Sequence, residues 1–361
     1  VARRELDHLT AFAVGEDRGE VAVVEALGVG RRLKRRVDLS GAVHLRQFAD
    51  GGSTRTYRFG DGKMTVTVGQ PPPGFSPEQA TDEELKRYGF PPRPTTAAQL
   101  QQWTELMTNY KGAAPPAACE GPVAPYSTNN EPVEYGTYYN KTWSGYLARS
   151  AEGGGHRLVA AFGHFYEPSG NAYPSCKSNA LVANWLGLGG YFSGRLIQAG
   201  TGTATNNVHT AWFSLVSPGG TYTMYYPELS FGYGSYMGFY AGYNLAEQKA
   251  YFYLSNESTG QVIPVVVAAG TQFYDGSTAE SITERPGTGQ GTYYPLLNFN
   301  WETFWNIQYQ TNENVVYPIG TAVESRRLVM TNSGTKSGTL LAEPGGLSLG
   351  QNYPIYYHNC Q

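Results

Sequence analysis

From Thr142 to Gln361 no stretch keeps a helical apolar period over any length. Gly, Asn, Ser and Pro instead cut the chain into short β-type runs. These are Trp143–Ala148, Arg157–Phe165, Val182–Leu188, Leu196–Thr201, Thr210–Val216, Thr221–Tyr226, Phe239–Tyr243, Lys249–Ser255, Val262–Ala268, Glu280–Thr283, Val315–Tyr317 and Ser325–Thr331. A dozen strands at this spacing predict an antiparallel two-sheet β-sandwich. No fixed repeat supports a propeller or solenoid. With 45 Gly, 28 Tyr and only 15% charged residues, the chain suits turns and half-buried pleated surfaces.

The first third is different in kind. Residues 1–125 hold 16 of the 26 Lys+Arg and 15 of the 29 Asp+Glu. Val21–Leu27, Ala42–Phe48, Thr54–Phe59 and Lys63–Val68, split by Gly-Asp turns, predict a small β meander. Thr81-Asp82-Glu83-Glu84 has the form of a capping box for a short helix through Tyr88. Thr95 or Thr96 starts a second helix to about Tyr110, with Leu100, Trp103, Leu106 and Met107 on one face. Residues 111–132 are a Pro/Ala-rich linker. The expected organisation is therefore a small α+β unit over 1–110, a linker over 111–132 and a β-sandwich over 133–361.

Composition and motifs exclude most chemistries. A net charge of −3 does not suit a nucleic-acid partner, and no run reaches the ~20 apolar residues of a membrane span. The first residues, with Arg3, Arg4 and Glu5, carry no secretory signal; export is expected, with a signal removed ahead of Val1. Cys119, Cys176 and Cys360 allow three single pairings, of which Cys176–Cys360 lies wholly within the C-terminal part. The pairs Ser144-Gly145 and Ser193-Gly194 lack the elbow spacing of a serine nucleophile and no His-x-x-x-His or Cys-x-x-Cys spacing occurs, so neither a serine triad nor a metal centre is expected. Asp275 is the single aspartate after residue 125, which leaves no pair for an aspartic dyad. Carboxylates remain: Glu228, Glu280, Glu284 and Glu302 could supply a glycosidase pair.

Two stretches 82 residues apart narrow this choice: Leu196-Ile197-Gln198-Ala199-Gly200-Thr201, preceded by Asn184-Trp185-Leu186-Gly187-Leu188-Gly189-Gly190, and Ala279-Glu280-Ser281-Ile282-Thr283-Glu284. Together they resemble the motifs of the glutamic peptidases, the eqolisin family. Thr142-Trp143-Ser144-Gly145-Tyr146 is similar to the strand that opens that family's domain. The Thr81–Met107 segment resembles the leader of its bacterial members.

The resemblance implies a concanavalin- or jelly-roll-like catalytic domain of two seven-stranded sheets preceded by a propeptide. It implies an acid-acting endopeptidase without cofactor or metal, made as a secreted, monomeric precursor. Glu280 would be base and then acid, and Gln198 the oxyanion donor. Trp185, Trp143, Tyr226 and Glu284 would bind substrate or tune the site. Polypeptides would be substrates, and the propeptide an intramolecular inhibitor removed at low pH by a cut near 113–126. The family's Trp-x-Glu-x-Tyr-Pro strand reads here Tyr222-Thr223-Met224-Tyr225-Tyr226-Pro227, a departure that bears on substrate preference. The chemistry is consistent: in acid a His would be fully protonated, and a carboxyl is the side chain left to serve as base. The alternative is a secreted β-sandwich glycoside hydrolase or carbohydrate-binding module. Three further features stand as expectations. The Arg31–Arg36 basic run is a solvated turn, or alternatively lies against the acidic domain at neutral pH and is released in acid, and Asn140-Lys141-Thr142 and Asn256-Glu257-Ser258 are glycosylation sequons.

Overall fold

The computed structural model describes residues 44–361, except 60–63, 95–99, 101–102, 105–106, 109, 111, 114–118, 121–129, 135, 151–156, 227–228, 289–291 and 322–323. The expected strand at Val21–Leu27, the Arg31–Arg36 run and most of the linker lie outside the described residues.

Two sheets form the sandwich. In the first the order is Thr137–Asn140, Glu324–Thr331, Trp143–Arg149, Thr278–Glu284, Leu181–Gly189, Leu196–Ala204, His209–Ser217 and Gly220–Tyr226. In the second it is Tyr353–Tyr357, Trp301–Thr311, Leu158–Tyr166, Tyr236–Asn244, Lys249–Asn256 and Gln261–Ala268. Leu340–Pro344 pairs with a strand of each sheet and joins them along one side. All twelve expected strands are present, with ends moved by a few residues. The counts differ from seven and seven. Among the described residues the first sheet has eight main strands, with Asn130–Glu134 and Cys119–Glu120 added at its edges, and the second has six, extended by Val316–Pro318 and by three strands of the N-terminal unit, Met64–Gln70, Ser53–Phe59 and His44–Gln47.

Strand alternation sorts the side chains. Inner faces meet in a core that includes Ile197, Ala199, Phe213, Phe239, Phe252 and Phe304. Phe213 stacks on Phe252 with centroids 4.6 Å apart. The outer face of the first sheet carries its own apolar cluster, with Trp143, Leu147, Trp185, Leu196, Trp212 and Ile282. Such a sheet is apolar on both sides, so its strands read as nearly continuous buried runs. Leu181–Gly189 is buried at every position.

The N-terminal unit is attached to the second sheet. Met64–Gln70 pairs with Ser53–Phe59 in a hairpin and continues the sheet antiparallel from Gln261–Ala268. The expected capping box is formed. The Thr81 hydroxyl accepts from the Glu84 N–H, Glu84 accepts from the Thr81 N–H at 2.7 Å, and Gly89 ends Asp82–Tyr88 at φ 78°. The second expected helix falls largely on residues not described; Leu100, Trp103, Thr104, Met107 and Thr108 within it are helical. Tyr88, Phe90, Trp103 and Met107 pack on Tyr240, Tyr251, Tyr253 and Val262, on the outer face of the second sheet. Short strands of the connecting stretch run beside the sandwich. Gly112–Ala113 pairs with Gln261–Ala268, Cys119–Glu120 with Gly220–Tyr226, and Asn130–Glu134 with Thr137–Asn140.

Of the three cysteine pairings, Cys176–Cys360 is the one made, with Cα atoms 6.3 Å apart. The sequons are engaged in the fold. Asn140 is 5% exposed and accepts from the Thr142 and Trp143 N–H groups. Asn256 is 1% exposed and donates to the Ser230 carbonyl. Neither side chain presents an amide for glycan attachment. No helix among the described residues is long and apolar enough to cross a membrane.

Candidate active site

Three neighbouring strands build the site: Leu181–Gly189 in the middle, Leu196–Ala204 on one side and Thr278–Glu284 on the other. Gly187 stands opposite Gln198 in one pairing and opposite Glu280 in the other. The three residues form a row across the sheet, and at about 4.8 Å per strand the outer two Cα atoms are roughly 10 Å apart. The row continues through Leu147 beyond Glu280 and through Ser214 beyond Gln198. Gly187 leaves the space between the two polar side chains open. A Cβ there would lie 2.8 Å from the Ile197 carbonyl oxygen and 3.1 Å from the Gln198 Cβ.

Both polar residues are withdrawn from solvent. Glu280 has 0% of its surface exposed and Gln198 8%. Neither Glu280 oxygen has a hydrogen-bond partner of good geometry, nor has Gln198 Oε1. Burial pushes the Glu280 carboxyl well above its ordinary range, and the nearby Asp275 carboxylate adds to this. The Thr278 hydroxyl and the Gly189 N–H are close enough to oppose the shift in part. A buried carboxyl beside a buried amide, both with unused hydrogen-bonding capacity, is a costly arrangement in a core. It suits a place where another molecule supplies the missing bonds.

The next rows hold the rest of the motif. Trp185 lies opposite Ile282 and Gly200. A Cβ at Gly200 would come within 2.6 Å of the Trp185 Cβ, so the indole needs that glycine. Trp185 Nε1–H donates to Glu284 Oε2 at 2.7 Å, and Trp143 meets Trp185 edge to face at 5.0 Å. Glu284 lies opposite Trp143 and Ala183. Burial raises its carboxyl to about 7 against the hydrogen bonds from Trp185 and Trp143. The two indoles and Glu284 thus lock one another beside the Gln198–Glu280 row.

Gln198, Glu280, Trp185, Glu284 and Trp143 therefore share one face. Tyr226 does not join them. It is 0% exposed in the core between the sheets, with its hydroxyl toward Met224 Sδ. Tyr222, Met224 and Tyr226 alternate to the inner side of their strand, so the departure at Met224 changes the core and not this face. Glu302, an alternative carboxylate partner, is also inside, where Asn184 Nδ2 donates to it at 2.5 Å. Glu228 lies outside the described residues. Glu280 and Glu284 are four residues apart along one strand, about 13 Å between their Cα atoms.

Two features escaped the sequence reading. Gly187 was one glycine among many, and only the register shows it between the two polar groups. Asp275 accepts from the Ser193 hydroxyl and from the Ser277 N–H at 2.8 Å, which holds a carboxylate near Glu280. Its isolation as an aspartate was visible; its position beyond the strand end was not.

Comparison with solved structures returns several matches of low sequence identity. A crystal structure of scytalido-glutamic peptidase with a peptide-based transition-state analogue is 14% identical, with a TM-score of 0.46; the match covers 61% of this chain and 100% of that one. SCP-B, an eqolisin in complex with the tripeptide Ala-Ile-His, is 13% identical, with a TM-score of 0.47 and the same coverages. A Bacillus licheniformis β-glucanase is 14% identical at a TM-score of 0.27, over 49% of this chain and 90% of its own. No curated protein sequence matches. The profile described as the Peptidase A4 family matches residues 141–341, more than half of the chain and the whole of the Gln198–Gly187–Glu280 row. The protein belongs to that family, the glutamic peptidases.

Proposed function

We propose that the chain is the precursor of a secreted, acid-acting endopeptidase in which Glu280 activates water and Gln198 stabilises the oxyanion. The observation that carries this reading is the row itself: a carboxyl and an amide on either side of Gly187, both buried and both with unused hydrogen-bonding atoms. Once the site is open to solvent, the burial that keeps Glu280 protonated is relieved and the group can ionise in mild acid. Its carboxylate then removes a proton from water as the oxygen attacks the peptide carbonyl. The Gln198 amide N–H donates to the oxygen that becomes negative, a role independent of pH. Collapse of the tetrahedral intermediate breaks the C–N bond, and the proton held by Glu280 passes to the departing amine. Glu284 serves as the anchor that fixes the Trp185 indole beside the reacting groups.

Precursor status is supported by burial: in the intact chain Glu280 has no exposed surface and no substrate carbonyl can approach it. A cut in the Pro/Ala-rich connecting stretch would open it. Export is supported by the Cys176–Cys360 disulfide, a bond suited to oxidising compartments.

The test is incubation of wild type and Glu280→Gln at pH 3–4 and pH 7, following chain mass and casein cleavage. Cleavage of the chain and of casein in acid, absent from the variant, is the expected outcome. A wild type that stays intact and inert at both pH values sinks the proposal.

A further inference from the structure

We infer that the N-terminal unit, His44–Tyr110, is a lasting part of the sandwich and stays bound, without a covalent link, after the chain is cut between Glu120 and Asn130. This builds on the precursor reading and changes its consequence: activation would open the site without expelling the leader.

The unit closes an edge of the second sheet. Met64–Gln70 continues the second sheet from Gln261–Ala268, with Val68 opposite Val265 and Val66 opposite Val267. The pairing begins just after Pro264, the one residue there with no N–H to offer. Without this partner the sheet would end in Val265-Val266-Val267, a β-branched edge open to aggregation.

The unit is also bound on two sides. Tyr57, Met64, Val66 and Val68 are each at most 3% exposed and belong to the main core, where Tyr57 lies near Tyr226. On the other side Tyr88, Phe90, Trp103 and Met107 cover the outer face of the second sheet, and Phe90 meets Tyr253 with centroids 5.8 Å apart. Gly89 sits against Val266, where an added Cβ would lie 3.1 Å from a side-chain methyl. Departure of the unit would uncover the core from its edge and the aromatic face from outside together. A removable inhibitor is better placed over the site it blocks. Among the described residues, the apolar cluster of Trp143, Trp185 and Ile282 on the face of Glu280 and Gln198 contains no residue of His44–Tyr110.

Acid does not undo the polar link. Lys86 Nζ pairs with Glu247 at 2.5 Å across the contact. Lys86, Lys249 and the Tyr251 hydroxyl all donate to Glu247 and hold its carboxyl at about 2. The pair therefore stays ionised at pH 3–4.

The test uses the full chain carrying Glu280→Gln, so that retention is read independently of any peptidase activity. A recognition sequence for a site-specific protease is inserted within residues 121–129. The chain is cut to completion and examined at pH 7 and pH 4 by size exclusion and native mass spectrometry. The expected result is one 1:1 species at both pH values, parted only by denaturant. Adding Val68→Asp and Phe90→Ala should release the fragment from the cut protein while the uncut chain, whose tether keeps the local concentration high, retains the contact. Separation of the unsubstituted fragments under native conditions overturns the inference, whether the C-terminal piece stays soluble or precipitates. If the fragments remain together while wild type proves inert in acid, retention stands and only the peptidase reading falls.

Discussion

Glu280 lies on the outer face of the first sheet and Glu302, from the second sheet, in the core between them, and both are buried carboxyls. Glu302, 4% exposed, has both oxygens occupied: Asn184 Nδ2 donates to one and the Thr283 hydroxyl to the other. Neighbouring Glu167 is engaged in the same way by Thr201, Thr203 and His209. Glu280 has neither oxygen satisfied, and Gln198 beside it keeps an unpartnered carbonyl. Burial alone therefore does not mark an active residue. The inner carboxyls are finished structural networks, whereas the outer one lacks the partners that a water and a peptide would bring.

The comparison can be broken most severely at the outer face. Glu280→Gln should reduce kcat by about 10³-fold or more, the scale of losing a general base, with no loss of thermal stability. If the loss is under tenfold, the distinction between the two carboxyls has no catalytic meaning. Gln198→Ala should cost about 10²–10³-fold in kcat with a much smaller change in KM, as for a donor used chiefly in the transition state. Equal losses in both parameters would make it a substrate-binding residue instead.

The two faces should act together on stability. Burial holds Glu302 at about 8 and Glu284 at about 7, with Glu280 also well above its ordinary value. Each is raised, so the folded state keeps protons that the unfolded chain loses above about pH 4.5. Stability is then fully present below that point and falls as pH rises toward 7–8, by a few kcal/mol in all. The midpoint of thermal unfolding should be higher at pH 4.5 than at pH 8 by roughly 5 °C or more; a flat or rising profile would falsify this. Glu247, held at about 2, adds an opposite effect below pH 4.5. The smallest effect belongs to Glu302→Gln, in which an amide keeps the carboxyl's shape without its titratable proton. Activity should change by less than about threefold, and the pH slope of stability should become shallower.

Much of this was legible in the sequence because alternation and turns write a β-sandwich plainly. Glu280 and Glu284 are an even number of residues apart, which on a strand places them on one face, and the Trp185 segment directly precedes the Gln198 run. Trp301–Thr311 was missed because its pattern is inverted. Trp301 and Trp305 are exposed at 58% and 38%, while Glu302 and Gln308 are buried, so hydropathy assigns the wrong inside. Tyr226 was placed wrongly for a related reason: which face a strand shows the core depends on register, and its own residues do not state that. The docking of Met64–Gln70 on Gln261–Ala268 depends on contacts about 200 positions apart, beyond any local pattern.

Gly187 has a consequence for redesign. Because the two polar side chains are indexed to the same glycine across hydrogen-bonded strands, the sheet lattice acts as a ruler between them. Loops at the strand ends can lengthen, shorten or be exchanged, altering what is admitted to the site, without resetting that interval. New cleavage preferences should therefore be sought by grafting loops, with the three rungs left untouched.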